Sequence, residues 1–190
     1  MLIKNMPCIR STVVLNATCF PDPAFCAALC DLLHHQPGTK VTRTELRRIT
    51  SLRVSDLGIE SLKGLQYLPA LTELWCCSNR LTHLDTSGNP ALTTLVCEYN
   101  QLERLNVRNN PALRTLVCNN NLLSRLDLSG NPHLTELLCE NNLLVGLNLT
   151  NNPQLRQLWC SCNRIKTLNT RANLRLRDLQ AERTDERLFV

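Results

Sequence analysis

The chain has 190 residues, a formal charge of +5 at pH 7 and 11 cysteines, and only 4% of its residues are aromatic. This length supports one domain with a substantial core, and no apolar run approaches the roughly 20 residues that a transmembrane helix requires. The basic residues gather toward the two ends without interleaved aromatic residues, so we expect neither a nucleic acid nor a membrane as partner.

Residues 1–48 predict an N-terminal cap made of an irregular strand and two short helices. The strand is predicted over residues 11–20, which are rich in β-branched side chains. Asp22 followed by Pro23 marks the start of a helix that extends to about residue 35, with apolar residues at three- and four-residue spacing. Thr42 and Glu45 form a capping box for a second helix that ends near residue 48.

Two features of this segment bear on localisation and cofactors. Arg10 and Asn16 interrupt the first apolar stretch, so it does not read as a signal peptide and we expect the chain as given to be cytoplasmic. Cys26, Cys30 and His34 are spaced four residues apart, which raises a metal or redox site as an alternative. Because no second Cys/His pair with zinc-ligand spacing follows, we expect no metal and no cofactor.

Residues 49–175 are a repeat array. Five consecutive units of 21 residues start at Leu71 and read L-x-x-L-x-C-x-x-N-x-L/I-x-x-L-D/N-x-x-x-N-P/L-x, and an opening unit of 22 residues, 49–70, precedes them. After residue 175 the pattern decays, so 176–190 predict a degenerate C-terminal cap into which Phe189 folds. A fixed period of this length is typical of a solenoid.

This pattern resembles the leucine-rich repeat family, and more narrowly its bacterial IRREKO type, in which each unit nests two L-x-x-L-x-L-x-x-N frames. In the first 21-residue unit these frames are Leu71 to Asn79 and Leu81 to Asn89. The resemblance implies an α/β repeat solenoid: a right-handed coil of parallel stacked short strands, with two extended segments per turn and an α-helical N-terminal cap. Relatives include surface proteins and secreted effectors, so export stays open.

Position six of every 21-residue unit is a cysteine, and positions nine and nineteen are asparagines. Side chains at equivalent positions of stacked turns point the same way, so the cysteines are expected to be buried free thiols, which favours a reducing compartment. We call them the cysteine ladder: Cys76, Cys97, Cys118, Cys139 and Cys160. The asparagines are expected at bends, where their amides would bond the backbone of their own and the next turn.

Strand alternation directs position five of each unit away from the core, where equivalent residues form one row about 19 Å long. We call this the tryptophan row: Trp75, Val96, Val117, Leu138 and Trp159. Its border contains Glu73, Glu98, Glu136 and Glu140, with Tyr99 beside it. Exposed apolar surface that contains Trp commonly marks a contact site. We therefore predict a protein-interaction module whose first-frame strand face binds a protein with basic residues around an apolar centre.

Three alternatives remain open from the sequence. In the first, the valines and leucines of the row are only strand formers. In the second, the row is buried in a homodimer, and in the third, the cysteines serve a metal or redox function. Catalysis is not expected, because none of the four histidines is placed to activate the outward thiols Cys77 and Cys162. The sequence also contains no phosphate loop, nucleophile elbow or paired carboxylate motif.

Overall fold

The computed structural model describes residues 12–181, so the outermost parts of both predicted caps, including Phe189, lie outside the described residues. Four elements precede the repeats: β1 (Thr12–Val14), α1 (Pro23–Leu33), β2 (Lys40–Thr42) and α2 (Arg43–Leu46). β1 pairs antiparallel with β2, which the sequence pattern does not predict. The described N-terminal segment therefore folds back on itself before the first repeat begins.

Asp22 joins helix α1 to the repeats. Its Oδ1 accepts a hydrogen bond from Phe25 N at 2.9 Å, which is an N-cap contact. Its Oδ2 accepts from the backbone N atoms of Glu60 and Ser61 at 2.7 and 3.0 Å. Because Glu60 and Ser61 belong to the opening repeat, one buried carboxylate both caps the helix and holds it against the end of the array.

One short strand from each turn contributes to a seven-stranded parallel sheet. In chain order these strands are β3 (Ser51–Arg53), β4 (Glu73–Trp75), β6 (Thr94–Val96), β8 (Thr115–Val117), β9 (Glu136–Leu138), β10 (Gln157–Trp159) and β11 (Asp178–Gln180). Equivalent positions of successive units are in register, as Leu74 is with Leu95. The sheet confirms the predicted solenoid of stacked parallel strands.

The second extended segment of each turn is less regular. Within residues 12–181 it forms assigned strands in two turns only, β5 (His83–Asp85) and β7 (Arg104–Asn106), which pair in parallel. Open clefts lie between other turns on this side, including one of about 670 Å³ whose lining includes Arg125, Val145 and Arg171. The turns are thus joined more continuously along the first segment than along the second.

The same positions of every turn supply the core. Leucines at positions one and four and cysteines at position six are buried throughout the five 21-residue units. The opening repeat, which also contains a 3-10 helix at Leu65–Tyr67, buries its predicted inward residues. These are Leu52, Val54, Ile59, Leu62, Leu65 and Leu68. The core is therefore one continuous column of aliphatic and thiol side chains along the solenoid.

Asparagine at position nine closes the bend after the first strand. Asn121 Nδ2 donates to the carbonyl oxygens of Cys97, Cys118 and Asn119, each at 3.1 Å, and its Oδ1 accepts from Leu102 N at 2.9 Å. The expectation that these amides bond the next turn is wrong, because Cys97 and Leu102 belong to the preceding turn. The position-six carbonyl of Cys97 thus accepts from two asparagines, Asn100 of its own turn and Asn121 of the following turn.

Asparagine at position nineteen closes the second bend. Asn110 Nδ2 donates to the carbonyls of Thr86 and Asn89 in the preceding turn at 2.9 and 2.8 Å, and Asn110 Oδ1 lies 2.6 Å from the Thr86 hydroxyl. Elsewhere in this ladder the equivalent Oδ1 is buried without a hydrogen-bond partner among the described residues, at Asn89, Asn131, Asn152 and Asn173. In the turn before each of these four asparagines, the position equivalent to Thr86 is occupied by Leu or Val.

We expect Asn121→Ala to lower the free energy of unfolding by about 1–3 kcal/mol, because buried Leu102 N would lose its acceptor and Cys97 O would lose one of its two amide donors. Chemical denaturation measures the change. Asn109→Ala is the matched control: Asn109 is exposed, and its substitution should change stability by less than about 0.5 kcal/mol. A denaturation midpoint for Asn121→Ala equal to that of the wild type would refute the structural role of this ladder.

We expect Val107→Thr to raise the free energy of unfolding by about 0.5–1.5 kcal/mol, because the new hydroxyl would meet the unpartnered Oδ1 of Asn131. The reciprocal change, Thr86→Val, should cost about 1–3 kcal/mol, since it leaves Asn110 Oδ1 in the same unpaired state. The two variants are compared by thermal and chemical unfolding. Effects of the same sign in both would show that the Thr–Asn contact does not govern stability here.

Candidate interaction surface

The sheet brings the five residues of the tryptophan row together. Trp75 is in register with Val96, Val96 with Val117, Val117 with Leu138, and Leu138 with Trp159. Parallel hydrogen bonding also continues past the assigned strands, since Ser78 N donates to Glu98 O at 3.0 Å. Residues at positions three to seven are therefore held in fixed rows, and we refer to their outward side chains as the sheet face.

The side chains of the tryptophan row are less exposed than the sequence predicts. Val96, predicted to be exposed, is only 7% exposed, because the large Trp75 and the branched Val117 lie beside it in the neighbouring strands. The other four residues are half-buried. The row is thus a shallow apolar strip whose two ends are indole rings.

The two tryptophans have different surroundings. The Arg53 guanidinium stacks over the Trp75 ring at 4.5 Å from its centroid, and Trp75 Nε1 is buried without a hydrogen-bond partner among the described residues. Trp159 Nε1 instead donates to Asp178 Oδ2 at 3.0 Å, and the Gln157 amide donates to the same oxygen at 3.0 Å. The sequence pattern places Arg53 at position five, but it gives no signal for this cation–π contact.

Carboxylates border the strip on both sides. At position three, Glu73 accepts from the Ser51 hydroxyl at 3.3 Å and Glu136 from the Thr115 hydroxyl at 3.1 Å. Glu98 and Glu140, at position seven, lie along the other side and are half-buried. Asp178 extends the first of these borders and was not among the predicted site residues, although alignment with the earlier repeats gives its position.

The sheet face is negative although the chain is positive. Within residues 12–181 its outward positions contain five carboxylates, at Glu73, Glu98, Glu136, Glu140 and Asp178, and one cation, Arg53. The face therefore has a formal charge of −4, whereas the whole chain has +5. Arg53, the one cation among these outward positions, is stacked on Trp75.

Tyr99 lies at the edge of this face in an unfavourable backbone conformation. Position eight is left-handed in every described turn from the opening repeat through the fifth unit, with φ between 52° and 59°, at Asp56, Ser78, Tyr99, Asn120, Asn141 and Cys162. Asn and Asp tolerate this conformation, whereas a tyrosine there costs about 1–2 kcal/mol. Tyr99 is nevertheless 58% exposed and packs into no core, so stability does not explain its presence.

The cysteine ladder is buried and is not in disulfides. Burial raises the pKa of Cys118 to about 12, and burial together with nearby Glu140 raises the pKa of Cys160 to about 11. The pKa values of Cys76, Cys97 and Cys139 are raised as well, mainly by burial. Within residues 12–181, no group of three or more His, Cys, Asp and Glu residues is placed to hold a metal ion.

Among the cysteines of residues 12–181, alkylation by iodoacetamide at pH 8 should modify the exposed Cys162 first and the ladder last. A thiol with a pKa of about 12 is ionised in roughly one molecule in 10⁴ at that pH, and the thiolate is the reactive form. Peptide mass spectrometry measures the order, and labelling in denaturant is the control that makes every thiol available. Labelling of Cys118 as fast as Cys162 in the folded protein would contradict the burial of the ladder.

No helix in residues 12–181 has the length and apolar character needed to cross a membrane. No protein-family model matches the sequence. The chain is 34% identical over 91 residues to internalin J of Listeria monocytogenes. The matched region is 45% of this chain and spans only 10% of the length of internalin J.

Solved structures support the fold. Internalin C2 of Listeria monocytogenes superimposes with a TM-score of 0.60 and 20% identity, covering 95% of this chain and 96% of that one. A chain of the LRIM1/APL1C complex superimposes with a TM-score of 0.61 and 28% identity over 66% of this chain and 26% of its own length. The chain therefore has the leucine-rich repeat fold, and over nearly half of its length its sequence is similar to that of a bacterial internalin.

Proposed function

We propose that the chain is a protein-interaction module, not an enzyme, and that it binds its partner through the sheet face. The observation that carries this proposal is the arrangement of that face: an apolar strip with carboxylates on both sides, and a formal charge of −4 on a chain of +5. Charge segregated in this way steers a basic partner toward one surface and away from the others.

Two further observations support the same surface. Repeat proteins in general use the extended surface of their stacked turns for binding, and one structural neighbour was solved within the LRIM1/APL1C complex. Tyr99 is an exposed aromatic residue in a strained conformation beside the strip, and such strain tends to occur at functional positions. Aromatic residues at an interface are also the ones that most often dominate binding energy.

Self-association through the same face is the second candidate, and the shallow, half-buried strip favours it because flat apolar surfaces pair readily. Multi-angle light scattering distinguishes a monomer from a homodimer. A redox or metal function of the cysteines receives less support, because burial raises the pKa of the ladder thiols and lowers their reactivity.

Affinity capture from a lysate of cells that produce the protein tests the proposal. We expect wild type to retain a partner that Trp75→Ala/Trp159→Ala loses. Arg125→Ala/Val145→Ala is the matched control, because both residues are exposed and line the cleft on the opposite segment of the turns. It should retain the partner.

The tryptophans are half-buried, so the melting temperature of each variant is measured first. Leu138→Gln, which is milder, repeats the test if the double variant unfolds. Equal capture by wild type and folded Leu138→Gln, together with loss in Arg125→Ala/Val145→Ala, would move the binding surface to the second segment.

A further inference from the structure

We propose that the partner segment on the sheet face is a basic amphipathic helix of about 13 residues that lies along the tryptophan row. This inference rests on the function proposed above and names the kind of partner that the same site takes. It follows from the dimensions of the face, the placement of its carboxylates and the difference between its two tryptophans.

The dimensions fit a helix. The row crosses four strand spacings between Trp75 and Trp159, which is about 19 Å, or about 13 residues of helix at 1.5 Å per residue. The carboxylate rows at positions three and seven are four residues apart along an extended backbone, which is about 13 Å. A helix with its side chains is about 10–12 Å wide, so it fits between the two rows.

The distribution of charge favours a helix over an extended peptide. An amphipathic helix presents an apolar stripe with polar residues on both flanks, so one surface of it can meet the strip and both carboxylate rows together. Alternate side chains of a strand point to opposite sides, so a strand with its apolar residues on the strip directs half of its side chains away. Carboxylates on both sides of the strip therefore match two basic flanks.

The two ends of the row indicate where a cation of the partner binds. At one end the chain's own Arg53 stacks on Trp75, which shows that the face accommodates a guanidinium on an indole ring. In the described part of the chain no cation stacks on Trp159. Its indole is fixed by Asp178, and Glu140 is one turn away at position seven. We assign this end to a Lys or Arg of the helix, held by cation–π and ionic contacts.

The probe is a fluorescein-labelled 14-residue peptide with leucines on one helical stripe and lysines and one terminal arginine on both flanks. A hydrocarbon staple on its remaining face fixes the helix. Three peptides are compared: this one, an unstapled peptide with the same amino acids reordered into strict apolar/basic alternation, and a stapled one with every basic residue replaced by Glu. Fluorescence anisotropy measures Kd, and we expect binding of the first peptide only, weakening as the salt concentration rises.

Paired variants test the location. Glu136→Gln/Glu140→Gln removes one carboxylate from each side of the strip and should weaken binding at least tenfold. Glu60→Gln/Glu103→Gln changes the net charge equally at exposed sites outside the sheet face and should leave Kd within twofold. Trp159→Phe should weaken binding less than Trp159→Leu, because Phe keeps an aromatic face for the cation.

Absence of binding by the stapled peptide overturns the inference, as does equal weakening by the two glutamine pairs. Binding of the alternating peptide with equal affinity replaces the helix by an extended partner. These failures are distinguishable from failure of the proposed function. If capture depends on the tryptophan row but no stapled peptide binds, only the helical partner is wrong; if neither result depends on the row, the sheet face is not the binding surface.

Discussion

Every turn must return to the same register, after 22 residues in the opening repeat and 21 in the others, while leaving no buried backbone group unpaired. The asparagines meet this constraint at the two bends, where their side-chain amides bond backbone groups of the preceding turn. At the first bend the amide uses its oxygen and its nitrogen, whereas at the second bend the oxygen is left unpartnered in most described turns. Within residues 12–181 the first segment forms a sheet of seven strands, whereas the second forms one pair.

Because the turns stack in register, the position of a residue within its repeat determines where its side chain lies on the surface. Residues that are 21 apart in sequence become neighbours in space. The side chains at positions three, five and seven therefore form three parallel rows across the sheet face. Apolar residues at position five and carboxylates on both sides then give a continuous strip with a negative border. The core positions cannot vary in this way, because the same stacking packs them against one another.

Much of this can be predicted from the sequence, because a strict period fixes both the stacking and the direction of each side chain. The solenoid, the buried ladder position and the tryptophan row all follow from the 21-residue unit. Contacts between unlike residues in adjacent turns do not, which is why the burial of Val96, the stacking of Arg53 on Trp75 and the contact of Asp178 with Trp159 emerge only in three dimensions. The direction of the asparagine bonds depends on which backbone groups the bend leaves open.

We propose that the partner binds the sheet face and not the second segment. Site-specific photo-crosslinking in cells that produce the protein tests it most directly, with p-benzoylphenylalanine at Tyr99 in one variant and at Val145 in another, since both side chains are exposed. We predict a crosslinked partner from position 99 and none from position 145. A partner captured from position 145 alone would contradict the claim.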